Sequence, residues 1–233
     1  WLGSEEFLNG IERWCLLLKD VSPKELDQLP HCLERVAAVR KYREKSGSAP
    51  TIALAETPRR FHVEFFPKGN YLVVPEVSSE KRRYIPIGFL DSSILASNLL
   101  KTVPDATLYH FGVLSSSAHN AWMRTVAGRM KSDYRYSVKI VYNNFPWPEK
   151  PTEKQRQAIE AAAQAVLDAR SLYPDSNLAQ LYNLATMPAE LVTAHAALDR
   201  AVDAAYGYKG GPADANRVQY LFEKYLQAGG DSQ

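Results

Sequence analysis

No run of apolar residues in this 233-residue chain approaches the ~18 needed to cross a bilayer. Its start, Trp1-Leu2-Gly3-Ser4, lacks both the basic region and the apolar stretch of a signal peptide. A membrane-spanning protein is excluded on this reading, and a cytoplasmic one is expected. The chain does not open on Met, as expected of a piece of a larger polypeptide. Cysteine is scarce: Cys15 and Cys32 are too few for a disulfide scaffold, and both are expected to be core residues in a reducing compartment. The five histidines and two cysteines show no C-x-x-C, H-E-x-x-H or related spacing, so no metal site is expected. Also missing are G-x-x-x-x-G-K-[ST], G-x-G-x-x-G and any strand followed by a glycine-rich turn, which removes the usual cradles for nucleotides and nucleoside cofactors. The Ser115-Ser116-Ser117 run with His119 nearby has a nucleophile and a base but no strained elbow and no third member.

What is present is a chain 45% hydrophobic and 11% aromatic, enough to bury one large core or two small ones. The net charge of +2 hides an asymmetry. From Pro151 onward there are 7 Lys/Arg against 10 Asp/Glu, whereas Lys81 to Lys139 holds 9 basic residues against 3 acidic ones. Such a stretch attracts a polyanion, because neutralising phosphates releases condensed counterions; a solvated basic face has the same composition.

The composition breaks at Asn143-Asn144-Phe145-Pro146-Trp147-Pro148-Glu149-Lys150-Pro151, where three prolines in six residues stop any regular element. Before the break, Phe61 to Phe66, Tyr71 to Val74, Arg83 to Phe89 and Ser137 to Tyr142 read as short strands. Helices are expected over Leu29 to Glu44, with Leu33, Val36, Ala37 and Arg40 facing the core, and over Ser116 to Met130, with Trp122, Met123, Val126 and Met130 aligned. After the break everything reads as helix. Thr152 and Gln155 form a capping box, and Ile159, Ala162, Ala163, Val166 and Leu167 make the stripe of the helix that follows. A second helix starts near Pro188, carries Leu191, Ala194, His195, Leu198, Val202 and Ala205, and stops at Gly207; a third runs through Val218, Leu221, Phe222 and Tyr225. His195, on an apolar stripe, reads as a hydrogen-bonded core histidine. The expected fold is α+β, a mixed domain over 1–150 followed by an all-α bundle over 151–233.

Five ordered segments carry a family likeness: Ile11-Glu12-Arg13-Trp14-Cys15-Leu16, Tyr84-Ile85-Pro86-Ile87-Gly88-Phe89, Phe111-Gly112-Val113-Leu114-Ser115-Ser116, Gly128-Arg129-Met130-Lys131-Ser132-Asp133-Tyr134-Arg135-Tyr136-Ser137 and Val141-Tyr142-Asn143-Asn144-Phe145-Pro146-Trp147-Pro148. Together with Met187-Pro188-x-x-Leu191 and His195-x-x-Leu198-Asp199-x-x-Val202-Asp203, they resemble the target recognition and C-terminal helical domains of MmeI-type (type IIL) restriction-modification enzymes. In that family one polypeptide joins an endonuclease, an adenine-N6 methyltransferase and a target recognition domain. The resemblance implies double-stranded DNA as partner and an upstream methyltransferase domain in the same polypeptide, with S-adenosylmethionine bound there. The family's cofactor motif, its N-P-P-[FY] motif and its nuclease cluster are not in this chain, so no enzyme activity is expected of it by itself; Asn144-Phe145-Pro146-Trp147 has its prolines displaced from N-P-P-F.

The resemblance places base-reading residues at Lys131, Asp133 and Arg135, with Glu76, Asn98 and Leu99 as further base-facing positions. In an extended or turn segment side chains at i and i+2 point the same way, so the first three can face one groove. Lys131 can donate to guanine O6 and N7, and Asp133 can accept from cytosine N4, which predicts a G·C pair of defined orientation; Asn98 can pair with adenine N6 and N7, and Leu99 offers only apolar contact. A local Lys131–Asp133 surface ion pair is the competing explanation. Lys81, Arg82, Arg83, Arg124, Arg129 and Lys139 are the candidates for phosphate contacts, which set register without reading bases. Two other functions compete: a helical protein-interaction module with a solvated basic face, and a Ser/His hydrolase.

Overall fold

The computed structural model describes residues 1–62, 64 and 66–230. In chain order the helices are α1 (Ser4–Asn9), α2 (Pro23–Leu26), α3 (Pro30–Glu44), α4 (Ala49–Ala53), α5 (Leu108–Ser115), α6 (Ser117–Val126), α7 (Glu153–Ser171), α8 (Leu178–Leu181), α9 (Ala189–Tyr206) and α10 (Asp214–Gly230). The strands are β1 (Tyr71–Pro75), β2 (Val77–Ser78), β3 (Gly88–Leu90), β4 (Leu100–Pro104), β5 (Gly128–Met130) and β6 (Asp133–Arg135). A mixed strand and helix region thus precedes the helical α7–α10 region. The chain divides into two compact units, one of Trp1 with Arg13–Phe66 and one of Leu2–Glu12 with Pro67–Gln233.

The smaller unit holds α2, α3 and α4. Ser22 caps α2 by accepting from the Glu25 amide while the Glu25 carboxylate returns a bond to the Ser22 amide at 2.9 Å. Arg43 ties the unit together by donating to the carbonyls of Leu54 (2.8 Å), Thr57 (3.0 Å) and Arg60 (2.7 Å). Helix α3 forms where its periodicity predicts, but it buries no residue: Leu33 and Val36 are half-buried, while Ala37 and Arg40 are exposed. The apolar spacing overestimated burial because so small a unit has little core to offer: among its described residues only Leu18, Leu26 and Ala55 are buried. Cys15 is exposed and Cys32 half-buried, so neither is the core residue expected. Of the strand expected over 61–66, Val63 and Phe65 lie outside the described residues, and the other positions are not in a strand.

The larger unit holds two antiparallel sheets. In the first, ordered β3-β1-β4, Tyr71 pairs with Leu90 on one side and Pro104 on the other. Strand β1 is buried throughout, as its unbroken Tyr-Leu-Val-Val run requires. In the second, ordered β2-β6-β5, Val77 pairs with Arg135 and Met130 with Asp133. Only Gly88 and Phe89 of the Arg83–Phe89 segment are in a strand. Tyr84–Ile87 is buried loop whose polar groups bond to side chains instead of a ladder: the Ile85 amide donates to Asn120 Oδ1 (2.8 Å), and the Ile87 carbonyl accepts from Arg170 Nη1 (2.8 Å). The segment expected as a strand over Ser137–Tyr142 is a wide helical turn over Val138–Tyr142. Asn144 Nδ2 caps its Lys139 and Ile140 carbonyls, and Trp122 Nε1 donates to the Val141 carbonyl at 3.0 Å, bonds that only a coiled backbone can accept together. Helix α6 ends at Val126, so Met130 leaves the expected helical stripe for strand β5, where it is exposed.

The C-terminal helices follow the sequence closely. Thr152 and Gln155 exchange the predicted capping bonds, Gly207 closes α9 in the left-handed conformation (φ 68°), and Ile159, Leu191, His195, Leu198, Val202 and Leu221 are buried. These helices share one core with α5 and α6. Gly112 on α5 is the point of closest approach: a Cβ there would stand 2.6 Å from Ile159 Cγ2 and 3.2 Å from Leu198 Cδ1.

Several buried polar groups in this core pair with one another, while Ser115 Oγ and the Nδ1 atoms of His119 and His195 are buried without a partner. Asp199 accepts from the Tyr84 hydroxyl (2.8 Å), the Ser117 amide (2.7 Å) and the Ser117 hydroxyl (2.5 Å). His195 stacks on Tyr84 at 4.0 Å and bonds through Nε2 to the Tyr182 hydroxyl at 2.8 Å, a hydroxyl that also accepts from Arg170. Burial, reinforced by the charges of Arg170 and Arg83, holds His195 neutral, well below its ordinary pKa. His119 bonds through Nε2 to Tyr136 at 2.9 Å, and burial drives its pKa down to about 3. Ser116 Oγ donates to the Val113 carbonyl and caps α6 by accepting from the His119 backbone amide, Ser117 Oγ donates to Asp199, and the His119 ring bonds to Tyr136, so no serine hydroxyl faces that imidazole.

Candidate nucleic-acid interface

Strands β5 and β6 form a hairpin whose turn is Lys131 and Ser132. Lys131 takes a left-handed backbone (φ 57°), uncommon for a residue with a Cβ and suited to the tight reversal. On β6 the alternation holds: Asp133 and Arg135 share one side, and Tyr134 between them is buried with the Arg129 guanidinium 3.8 Å above its ring. The i, i+2 alignment expected of Lys131, Asp133 and Arg135 therefore stops at Asp133, because Lys131 belongs to the turn. Lys131 and Arg135 are exposed and Asp133 is half-buried.

Beneath the hairpin lies a carboxylate with two cations. Glu76, next to β2, is 8% exposed; its Oε1 accepts from Arg135 Nε (2.8 Å) and its Oε2 from Lys101 Nζ (2.7 Å). Burial alone would raise its pKa, but the two cations outweigh burial and hold it below the ordinary carboxylate value. The Glu76 backbone is pinned as well, its amide donating to the Leu99 carbonyl (2.8 Å) and its carbonyl accepting from the Tyr136 amide (2.7 Å). Lys101 also donates to the Asn98 carbonyl at 2.8 Å. Glu76, Asn98, Leu99 and Arg135 are thus brought into one network, with the Asn98 and Leu99 side chains exposed. Both Glu76 oxygens are engaged, which makes it a support for Arg135 and not a free acceptor. The sequence reading missed Lys101, which lies on β4, a strand its Lys-Thr-Val-Pro composition did not announce.

Asp133 Oδ1 accepts from the Glu80 amide at 3.2 Å. The half-buried Arg82, its pKa pulled down by burial, is opposed in that by the Asp133 charge. Lys81, Arg83 and Lys139 are exposed. Arg124 is committed elsewhere, to Asp214 (2.7 Å) and the Arg83 carbonyl (2.9 Å). Arg129 donates to the Ser132 carbonyl at 2.6 Å and stands 3.8 Å from Glu80, so it braces the hairpin. No group of His, Cys, Asp and Glu among the described residues can hold a metal ion, and no described helix is long and apolar enough to cross a membrane.

Residues 1–149 match the family described as MmeI, target recognition domain, and residues 151–230 match MmeI, C-terminal domain. The chain is 40% identical to DNA methyltransferase A of Bacillus subtilis (strain 168) over 227 residues, covering 97% of this chain but 26% of that protein. Among solved structures, it superposes with a TM-score of 0.96 and 47% identity on the type IIL restriction-modification enzyme MmeI in complex with DNA, covering 98% of this chain and 30% of that one. The chain therefore spans about a quarter to a third of the length of these relatives.

Proposed function

This chain belongs to the MmeI family, residues 1–149 matching its target recognition domain and 151–230 its C-terminal domain, and from that premise we propose that it reads double-stranded DNA sequence for a catalytic portion it does not contain. The division of labour falls at residue 150, although helices on both sides share a core. The parent polypeptide is an adenine-N6 DNA methyltransferase, with or without an active nuclease, whose upstream domain flips the target adenine. S-adenosylmethionine belongs to that domain: among the described residues both sheets are antiparallel, and none presents a glycine-rich strand-to-helix turn to cradle it. A cytoplasmic location follows from the substrate.

One observation carries the reading, the Glu76 carboxylate buried under an exposed hairpin and anchoring Arg135 through Nε alone. That bond orients the guanidinium of an exposed side chain, the preorganisation that a base-reading arginine needs. Lys131 and Asp133 extend the reading surface and select a G·C pair, Asn98 reads adenine, and Leu99 adds apolar contact. Lys81, Arg82, Arg83 and Lys139 supply phosphate contacts; Arg124 and Arg129 act through the scaffold. In the smaller unit, Trp14 is 88% and Tyr42 77% exposed, which fits a contact with the upstream methyltransferase domain.

Exchanging the two charges (Lys131→Glu with Asp133→Arg) in the full-length parent and mapping methylated sites genome-wide tests the assignment. One G·C position of the motif is expected to change while the others persist. Methylation at an unaltered motif would reduce both residues to surface charges.

A further inference from the structure

A cavity of about 350 Å³ opens where the loop carrying Arg83 meets α9 and the turn before α10, lined by Arg83, Ser117, Asp199, Arg200, Asp203, Lys209 and Arg217 among others. Its charges are unevenly matched. Both oxygens of Asp199 are taken by Tyr84 and Ser117, and Asp203 is engaged by the Arg217 Nη groups at 2.7 and 3.3 Å. None of the ion pairs among the described residues involves Arg83, Arg200 or Lys209, and all three are exposed. At the cavity wall Arg217 is 6% exposed, and its Nε is buried without a hydrogen-bond partner. A buried guanidinium N–H left unanswered costs free energy that an incoming acceptor recovers.

We infer that this cavity is a phosphate-binding site, and that through it the C-terminal helices grip the DNA backbone beside the base-reading hairpin. The shared chemistry is a phosphate oxyanion meeting arginine and lysine donors in a concave, partly desolvated setting. A backbone phosphodiester is favoured over a free ion because the cavity continues the basic Lys81-Arg82-Arg83 run, whose Arg82 lies within the electrostatic reach of Asp133 on the hairpin. The inference rests on the DNA-reading proposal and adds to it a contribution from α9 and α10, where the acidic balance of residues 151–233 gave no sign of one.

The experiment substitutes Arg200→Gln with Lys209→Gln in the full-length parent, two exposed positions whose loss leaves the packing intact, as unchanged thermal unfolding would verify. Affinity is measured against salt for a duplex carrying the mapped motif and for a scrambled duplex of the same length. Expected are an affinity loss of roughly tenfold on both duplexes, a salt slope shallower by about one to two, and an unchanged methylation motif. Unchanged affinity and slope would overturn the inference, and so would a changed motif. Inorganic phosphate is titrated in parallel: if it binds wild type and not the variant while DNA affinity stays equal, the site serves a free anion and the backbone assignment fails. The Lys131/Asp133 exchange in the same background separates the two ideas, because it moves the motif whether or not the cavity holds a phosphate.

Discussion

The helical core and the β5–β6 hairpin handle charge in opposite ways. Around Asp199 every carboxylate oxygen has a neutral donor, and His119 and His195 are held neutral by burial, each bonded through Nε2 to a tyrosine hydroxyl. At the hairpin one buried carboxylate holds two cations, and the side chains above it project into solvent. The first arrangement consumes its polar groups to define a fold. The second leaves polar groups exposed, as the proposed reading of DNA requires. Substitutions in the core should thus register as stability, and substitutions at the hairpin as specificity.

The largest expected effect is in the core. Trp122 packs against Phe145, Phe222 and Tyr225, with its indole N–H bonded to the Val141 carbonyl, so Trp122→Ala should cost about 3–5 kcal/mol in urea unfolding followed by circular dichroism. A loss below ~1 kcal/mol would erase the contrast. Next is the pH dependence. His119 and His195 bind a proton in the unfolded chain below about pH 6.5 but stay neutral when folded, so unfolding takes up protons and stability falls with pH. Each histidine contributes at most about 1.4 kcal/mol per pH unit. Asp203, raised by burial to about 6 against the pull of Arg217, works in the other sense between roughly pH 6 and 4, because it binds its proton more tightly when folded. The net expectation from pH 6 to 5 is a loss of about 1–2 kcal/mol, and replacing either histidine by Gln should flatten the slope. A flat stability profile over that interval would contradict the neutral-core account.

Smaller effects belong to the hairpin. Glu76→Gln weakens the anchor of Arg135 and Lys101; it should cost about 1–2 kcal/mol in stability and relax discrimination at one position of the methylated motif. A stability loss with an unrelaxed motif would make Glu76 purely structural. The Lys131/Asp133 exchange should change stability least, by about 0.5 kcal/mol or less, while changing the motif most. A large destabilisation there would show that the hairpin belongs to the core's regime.

How much of this was legible in the sequence depended on where backbone polar groups found partners. Helices α7, α9 and α10 were readable because caps, stripes and stops all pointed the same way: Thr152 with Gln155, Leu191 to Val202, then Gly207. The segments 83–87 and 137–142 were misread as strands because their backbone is satisfied by Asn120, Arg170, Trp122 and Asn144, side chains distant in sequence or pointing back on the chain. Strand periodicity carries no record of such bonds. At the candidate site, Lys131, Asp133 and Arg135 were found through a family likeness and not through pattern. The Glu76–Lys101 contact, 25 residues apart, needed the β1–β4 register to appear.

Gly112 has a bearing on how members of this family can exchange parts. Because α5 comes from one matched domain and the Ile159 and Leu198 side chains it touches come from the other, a cut at residue 150 passes through a shared interior and not between two separate bodies. Recombination at that seam joins halves that must already fit to within a methyl group. Trading the two matched domains independently should therefore cost stability wherever the incoming residue opposite Gly112 is larger than Ile159 or Leu198.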